Sequence, residues 1–298
     1  EMAVHHIGEE THFYVAVPKN SEDLIEKQIY GLYPTAEVTK TKDYNIFNPQ
    51  GATAGAYLAY TADSILPIKT YLKMETDPLG GILTAMSKLQ AEGEGAAVQI
   101  LIRPSDSKWK SAGHSFVSHV NKQESDPEKA KFAYDPRTLE TISGKASKPG
   151  FKTVVRLVVA STSKESAKMH LDNLKGAFSQ FSSDQNSFGG TKQLIKKFFM
   201  IDFIYRYFPI LDLPRYQQMS ILTSEELATL FHFPNKSVET PNIFWVNAKR
   251  APASAKIPDS GLYMGVSRYR GVNKKVFLSL DDRRRHIYTI GKTGTGKS

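Results

Sequence analysis

The sequence predicts an α+β protein with one or two ferredoxin-like β-α-β units, followed by a small β-module and the first strand of an α/β domain. Three observations predict this fold class. Strand patterns alternate with helical patterns over residues 1–104, the strongest strand pattern opens a second unit near residue 153, and prolines and glycines separate short strands after residue 252. The composition, 40% hydrophobic and 23% charged, is typical of a folded protein and not of a disordered one.

The first predicted unit covers residues 1–104. Its elements are, in order, a strand over residues 12–17, a helix over 22–30, strands over 36–40 and 56–60, a helix over 77–89 and a strand over 96–102. Apolar residues at helical spacing predict the helices, and prolines mark where several elements end. The order β-α-β-β-α-β is that of a ferredoxin-like sandwich with its helices on one face of an antiparallel sheet.

A polar connector, residues 105–150, separates this unit from the next, and an amphipathic stretch over 109–120 predicts a helix within it. The second α+β unit covers residues 151–250. It opens with a strand over 153–160, after which Ser163 is a candidate N-cap, and Thr223 is followed by acidic residues in the pattern of a capped helix start. A strand is also predicted over residues 243–246.

Residues 251–282 form the small β-module, with strands over 261–266 and 275–280 and a turn over 268–271 between them. The segment 249–298 holds twelve of the 39 Lys and Arg residues and three of the 30 acidic residues, so it carries the whole net charge of +9. A concentrated basic field attracts polyanions. The segment is therefore either a solvated basic surface beside a phosphate site or a surface that contacts DNA.

The composition also limits the chemistry of the chain. There is no cysteine, which excludes disulfides and thiolate metal sites and fits a reducing compartment. The eight histidines lack metal-site spacing, so packed or surface imidazoles are expected. No apolar run reaches the about 20 residues that span a bilayer. The nearest run, residues 198–211, is expected to be core or a subunit contact, with a membrane-surface helix as the alternative.

The strongest motif lies at residues 291–298, which match the pattern G-x-x-x-x-G-K-[ST]. Its members are Gly291, Lys292, Thr293, Gly294, Thr295, Gly296, Lys297 and Ser298. The motif follows an apolar, β-branched run over residues 285–290, which predicts a buried strand; His286 in that run is either a strand-edge residue or a polar residue of a subunit interface. Residues 283–298 are thus predicted to begin a P-loop nucleotide-binding domain.

The chemistry of this motif predicts an ATP and Mg²⁺ site. Backbone N–H groups and the N-terminus of the next helix bind phosphate oxygens, so Gly291, Gly294 and Gly296 would shape the loop. Lys297 would reach the β- and γ-phosphates, and the Ser298 hydroxyl would ligate Mg²⁺. The following helix and the acidic strand end that complete such a site lie beyond Ser298, so no complete catalytic set is predicted and the chain alone is expected not to hydrolyse ATP.

The end of the chain resembles the entry to the motor domain of the FtsK–HerA superfamily, in particular the bacterial type IV secretion and conjugative DNA-transfer ATPases. The resemblance rests on "RRRHIYTIGKTGTGKS" at residues 283–298, on "GLYMGVSRYRGVNKKVFLSLDDR" at 261–283 and on "ILTSEELATLFHFPN" at 221–235. It covers the last third of the chain, and residues 1–200 match only loosely.

This resemblance implies a hexameric ring that threads or exports DNA at the cytoplasmic face of the bacterial inner membrane, held there by segments outside this chain. The implied partners are DNA, further copies of the protein, and secretion-system or membrane components. Residues 1–248 are then expected to be an assembly and docking platform without enzymatic activity. The alternative is a scaffold or recruitment module of a secretion machine whose nucleotide loop serves assembly.

Overall fold

The structure is a computed structural model, and it describes residues 1–7, 10–89, 92–124, 135–191, 195–209, 218–234, 243, 252–269 and 272–285. The chain divides into two compact units. The first contains Glu1–Ala16 and Asp43–Phe244, and the second contains Val17–Lys42 and Trp245–Ser298. Helices and strands are mixed along the chain, and every described strand pair is antiparallel.

The described strands are β1 (Met2–Val4), β2 (Thr11–Phe13), β3 (Ala52–Tyr60), β4 (Gly95–Pro104), β5 (Gly150–Ser161), β6 (Phe188–Thr191), β7 (Ser220–Thr223), β8 (Leu262–Tyr269) and β9 (Val272–Leu278). The described α-helices are α1 (Glu22–Leu32), α2 (Leu79–Met86), α3 (Lys108–Glu124), α4 (Pro136–Ala146), α5 (Lys164–Ala177), α6 (Lys196–Ile204), α7 (Ser224–Leu230) and α8 (Leu280–Arg283).

The first unit is built around one sheet with the strand order β2-β1-β4-β5-β3-β6, and β7 pairs with β5 outside this path. The longest pairing joins β4 to β5 from Gly95↔Ala160 to Pro104↔Phe151. Strands from residues 1–104 and from residues 151–250 therefore share one hydrogen-bonded layer. Because side chains alternate along each strand, the same strands present residues to two different cores.

One side of the sheet is covered by α2 and α5. Val155, Leu157 and Val159 of β5 lie in the same buried cluster as the apolar side chains of both helices. The helices contribute Leu79, Ile82, Leu83, Met86, Leu171 and Leu174. Burial of a large apolar side chain contributes about 1.5–3 kcal/mol, so this cluster is the main source of hydrophobic stabilisation in the unit.

The other side of the sheet is covered by α6. Phe199 and Phe203 of this helix are buried against Val154 and Val158 of β5 and against Tyr57 of β3, whose ring meets that of Phe199 edge-on at 4.9 Å. On the neighbouring part of β3, a Cβ at Gly55 would collide with the Phe199 ring. The glycine therefore permits the close approach of α6 to the sheet.

Most of the elements predicted over residues 1–160 form near their expected positions. The strands predicted over residues 56–60, 96–102 and 153–160 are confirmed as β3, β4 and β5, and the predicted connector helix is confirmed as α3. The strand predicted over 36–40 is wrong: these residues are described without strand structure, and none of their side chains is buried. Without a buried face, alternation alone does not hold a strand in a sheet. The strand predicted over 243–246 falls largely outside the described residues.

Two predicted helix caps, Ser163 and Thr223, are confirmed, whereas Ser21, the candidate N-cap of the helix predicted over 22–30, makes no side-chain capping hydrogen bond to α1. The Ser163 hydroxyl accepts a hydrogen bond from the Ser166 N–H at 3.0 Å and begins α5. Thr223 and Glu226 form a reciprocal capping box at the start of α7.

We expect the variant Ser163→Ala to lower the free energy of unfolding by about 1 kcal/mol, because it leaves one N–H at the start of α5 without its side-chain acceptor. Chemical denaturation monitored by circular dichroism measures this loss. The control is Ser182→Ala, which changes an exposed serine. Equal stability of the two variants would contradict the capping role.

In the second unit, α1 confirms the helix predicted over residues 22–30, and β8 pairs with β9 as a hairpin. The register runs from Leu262↔Leu278 to Tyr269↔Val272 and shifts between Tyr263 and Gly265. This hairpin confirms the two strands predicted for the small β-module. None of the helices in the described part of the chain is long and apolar enough to cross a lipid bilayer.

Candidate functional site

The predicted nucleotide site, residues 291–298, lies outside the described residues, as does His286. The ATP and Mg²⁺ assignments for Lys297 and Ser298 therefore stay predictions. The structure does describe the segment that leads toward the motif. There, the Ser279 hydroxyl accepts a hydrogen bond from the Asp282 N–H at 3.1 Å and begins α8, a short helix that the sequence analysis did not predict.

The basic segment before the motif is largely exposed where it is described. Arg283, Arg284 and Arg285 are exposed, as is Lys275 on β9. Lys274 instead donates from Nζ to the Ser254 carbonyl oxygen at 2.9 Å. These three arginines and Lys275 are thus available to a polyanion, and Lys274 is partly engaged within the second unit.

The histidines near the N-terminus form an aromatic stack. The ring of His5 lies 5.0 Å from that of His12, and its Nε2 lies 2.5 Å from the Tyr14 hydroxyl. Burial lowers the pKa of His5, and the neighbouring His12 and His6 lower it further. Within the described ranges, no three His, Asp or Glu side chains converge on a site for a metal ion.

Two buried carboxylates could be mistaken for catalytic groups. Glu94 accepts hydrogen bonds from Ser161 at 2.6 Å and Ser166 at 2.9 Å, and its other oxygen lies 3.2 Å from His170 Nε2. Both serines thus donate to the carboxylate and not to the imidazole, whereas nucleophilic catalysis needs a serine paired with a base. The arrangement ties the start of α5 to the start of β4.

The second buried carboxylate is Glu226, which lies 3.0 Å from Lys145 Nζ. It also accepts the N–H of Ile68 at 3.2 Å. Burial lowers the pKa of Lys145, and the nearby Glu226 opposes that shift. The pair joins α4 to α7 and to the loop before α2, which is a structural role.

The least expected feature is a polar row on the buried, α6-facing side of the sheet. Gln99 of β4, Arg156 of β5 and Tyr57 of β3 are direct cross-strand partners. The side chain of Arg156 is 0% exposed and donates to Gln99 Oε1 at 2.7 Å. Gln99 in turn donates from Nε2 to Glu1 Oε1 at 2.7 Å. A buried charge of this kind is costly unless its hydrogen bonds are satisfied.

This row holds the C-terminal end of α6. Arg156 donates to the Asp202 carbonyl oxygen at 3.1 Å and to the Tyr207 carbonyl oxygen, and Gln99 donates to the Phe203 carbonyl oxygen at 3.0 Å. The last carbonyls of a helix lack partners within the helix and carry partial negative charge, so a cation is favourable there. Burial lowers the pKa of Arg156, and neighbouring Tyr57 and Asp202 oppose that shift.

The helix ends in a left-handed residue that is not glycine. Arg206 has φ 58°, and the Tyr207 N–H donates to the Asp202 carbonyl oxygen at 2.9 Å, as in a Schellman motif. A non-glycine residue here costs about 1–2 kcal/mol. The Arg206 guanidinium binds Glu1 at 3.0 Å and Asp43 at 2.9 Å, which offsets this cost. The hydrogen bond from Arg206 lowers the pKa of Asp43.

A cavity of about 240 Å³ lies beside Arg206. It is lined by Asp43, Tyr44, Asn45, Ile46, Phe47, Phe203, Ile204 and Arg206. Its lining is mainly apolar, and the Arg206 guanidinium is already bound to two carboxylates. The cavity therefore offers little free charge for a ligand, and the arrangement mainly positions the chain that follows α6.

The outward side of α6 and of the turn after it exposes large apolar side chains. Phe198 is 60% exposed, Tyr205 63% and Tyr207 54%, and the rings of the two tyrosines stack at 5.7 Å. The sequence predicts that the run over 198–211 is core or a subunit contact, with a membrane-surface helix as the alternative. The described part of this run includes core and exposed surface. Phe199 and Phe203 are buried, whereas Phe198 and Ile204 on the opposite face of the helix are exposed.

Cations border this apolar surface. Lys196 and Lys197 are exposed at the start of α6, and the Arg103 guanidinium lies 4.5 Å from the centre of the Phe208 ring. We define the α6 surface by its exposed residues: Ile195, Lys196, Lys197, Phe198, Ile204, Tyr205 and Tyr207. The aromatic run is visible in the sequence, but no sequence pattern indicates that Gln99 and Arg156 lie beneath it.

Comparison with known proteins yields one family. A family model described as "Domain of unknown function (DUF8128)" matches residues 1–246. No curated protein and no solved structure matches the chain. The matched region contains β1 to β7, which form the sheet of the first unit, and α6. It stops just before the basic segment that begins at residue 249.

Proposed function

We propose that this chain, which belongs to the DUF8128 family through residues 1–246, is the N-terminal part of an ATP-driven DNA-translocating motor of a type IV secretion or conjugation system. In this proposal residues 1–248 are the assembly and docking platform, and residues 283–298 begin the P-loop ATPase domain. The motor would work as a hexamer that uses ATP and Mg²⁺, at the cytoplasmic face of a bacterial inner membrane.

One observation carries the proposal: the complete motif at residues 291–298 directly follows a strand pattern and a run of three arginines. A glycine-rich loop needs a preceding strand to present its N–H groups to phosphate, and the predicted strand over 285–290 supplies one. The exposed Arg283, Arg284 and Arg285 support the proposal because they put positive charge a few residues before the nucleotide loop in the sequence.

The topology of the first unit supports a ferredoxin-like description of the platform. The segment β3-α2-β4-β5-α5-β6 has the strand order β4-β5-β3-β6, and α2 and α5 lie on the same side of the sheet. That is the arrangement of two interleaved, split β-α-β units. We propose that this core is one ferredoxin-like sandwich, with α3 and α4 inserted in the chain between the paired strands β4 and β5.

The platform role is supported by how the buried polar groups are used. Glu94, Glu226 and Arg156 each tie secondary-structure elements together. The exposed apolar residues of the first unit include those of the α6 surface, and an exposed apolar surface is suited to bind an interaction partner. The experiment that tests the motor assignment is ATP turnover by the full-length protein with and without DNA. Turnover that DNA does not change would favour the scaffold alternative.

We also expect DNA binding to depend on the basic segment. Replacing Lys275, Arg283, Arg284 and Arg285 by Gln should weaken binding of the full-length protein to duplex DNA. It should reduce the salt slope by about 0.9 for each phosphate that is no longer neutralised, because each neutralised phosphate releases its counterions. Fluorescence anisotropy over a series of salt concentrations measures both quantities.

The matched control removes the same number of charges from exposed lysines of the first unit: Lys88, Lys108, Lys164 and Lys168. This control should leave the salt slope unchanged, since those positions lie on the electrically neutral part of the sequence. If both sets of substitutions reduce affinity equally, the basic segment is a solvated surface and not a DNA contact.

A further inference from the structure

The α6 surface combines two properties that point to one kind of partner. Its apolar members Phe198, Tyr205 and Tyr207 are more than half exposed, and Lys196 and Lys197 directly precede Phe198 in the sequence. Aromatic residues are enriched both in protein interfaces and at the lipid–water boundary, but lysine is depleted from protein interfaces. Lysine beside aromatic residues on one helix is instead typical of helices that lie on anionic membranes.

The acidic groups nearest to this surface are neutralised. Asp202 lies 4.0 Å from Arg156 and accepts the Tyr57 hydroxyl at 3.2 Å, and its side chain is only 16% exposed. Asp43 binds the Arg206 guanidinium at 2.9 Å. These two aspartates are thus paired with arginines, while the side chains of Lys196 and Lys197 are exposed, which suits an anionic partner.

The helix that carries this surface is anchored to the sheet at both its buried face and its C-terminal end. The Phe199 and Phe203 side chains fix the helix on the sheet, and Arg156 and Gln99 bind the carbonyl oxygens at its C-terminal end. Preorganised aromatic side chains lose little conformational entropy on binding. The surface thus differs from a disordered segment that folds on the membrane.

From this geometry we infer that the α6 surface binds the anionic phospholipid surface of a membrane, with its aromatic side chains at the level of the headgroups. The inference rests on the proposed function, because it identifies the partner that the platform would face. It assigns membrane contact to the first unit itself, independently of any anchor outside this chain. Lys197 would interact with headgroup phosphates, as would Lys196, whose exposed ammonium also donates to the Thr53 carbonyl oxygen at 2.7 Å, while Phe198, Tyr205 and Tyr207 enter the interfacial layer.

The test is co-sedimentation of the full-length protein with vesicles of phosphatidylcholine, either alone or with about 30% phosphatidylglycerol, a fraction that gives a negative surface potential. We expect binding only to the anionic vesicles. It should weaken as the salt concentration rises from about 0.1 to 0.5 M, because the Debye length falls below the range of the lysine contacts. Equal binding to both kinds of vesicle, or to neither, would overturn the inference.

Two variants measure separately how the lysines and the aromatic side chains contribute to the affinity for anionic vesicles. Lys196→Gln with Lys197→Gln should reduce affinity for anionic vesicles about fivefold for each lysine. Phe198→Ser with Tyr205→Ser and Tyr207→Ser should reduce it at least about tenfold, because less apolar area enters the membrane. The matched control is Tyr71→Ser with Met169→Ser, which removes exposed side chains outside the α6 surface and should leave affinity unchanged.

The control experiments also distinguish this inference from the motor assignment. All three variants should keep the cooperative unfolding transition and the ATP turnover of the unchanged protein, since every substituted residue is exposed. If vesicle binding is retained by the aromatic variant, the membrane inference fails while the motor assignment stands. If the aromatic variant instead loses only concentration-dependent self-association, the surface binds a second copy and the inference is also overturned.

Discussion

Replacing Lys297 by Ala should abolish ATP turnover by the full-length protein. In a P-loop site the lysine at this position places its charge at the β- and γ-phosphates, where negative charge develops as the bond to the γ-phosphate breaks. Removing one such electrostatic group typically costs a factor of about 10²–10³ in turnover. The measurement is steady-state release of phosphate at saturating ATP and Mg²⁺.

The control is Lys88→Ala, which removes an exposed lysine from the first unit and should leave turnover unchanged. Ser298→Ala gives a second, chemically distinct test, because loss of the hydroxyl should raise the Mg²⁺ concentration needed for half-maximal turnover. Unchanged turnover in Lys297→Ala, together with an unchanged Mg²⁺ requirement in Ser298→Ala, would remove the nucleotide assignment.

Local structure in this chain follows closely from local sequence. Ser163 and Thr223 cap helices because a side-chain oxygen followed by a helical pattern satisfies N–H groups within a few residues. The hairpin β8–β9 also depends on short-range turn and strand patterns. These elements could therefore be predicted without knowledge of the rest of the fold.

The grouping of strands was harder to predict because it depends on pairing between distant residues. β4 and β5 are neighbours in the sheet, but α3 and α4 lie between them in the sequence. The polar composition of residues 105–150 predicts a connector, which places the two strands in different units. A local sequence pattern does not distinguish a connector between two units from an insertion between two paired strands, even when the stretch contains its own helices.

The polar row beneath α6 could not be predicted either. Arg156 lies in the middle of an apolar strand pattern, where an isolated arginine gives no sign of its partners. Its neighbours Gln99 and Asp202 are separated from it by 57 and 46 residues. A buried arginine becomes interpretable only when the acceptors brought to it by the fold are known.

Replacing Arg156 by Met should lower the free energy of unfolding by about 3–5 kcal/mol, the usual cost of removing one partner from a buried charged network. The methionine fills most of the volume, but Gln99 Oε1 and the carbonyl oxygens of Asp202 and Tyr207 lose their donor. Because two of these acceptors belong to α6 and the turn after it, the end of the helix should also become more mobile. Chemical denaturation measures the stability, and hydrogen exchange of the α6 amides measures the local effect.

The variant Arg137→Met is the matched control, since it makes the same chemical change at an exposed position on α4 and should alter stability by less than about 0.5 kcal/mol. If Arg156→Met is as stable as the unchanged protein and its α6 amides exchange no faster, the polar row does not hold the helix. Faster exchange confined to α6, with weaker binding to anionic vesicles, would connect the buried arginine to the exposed surface.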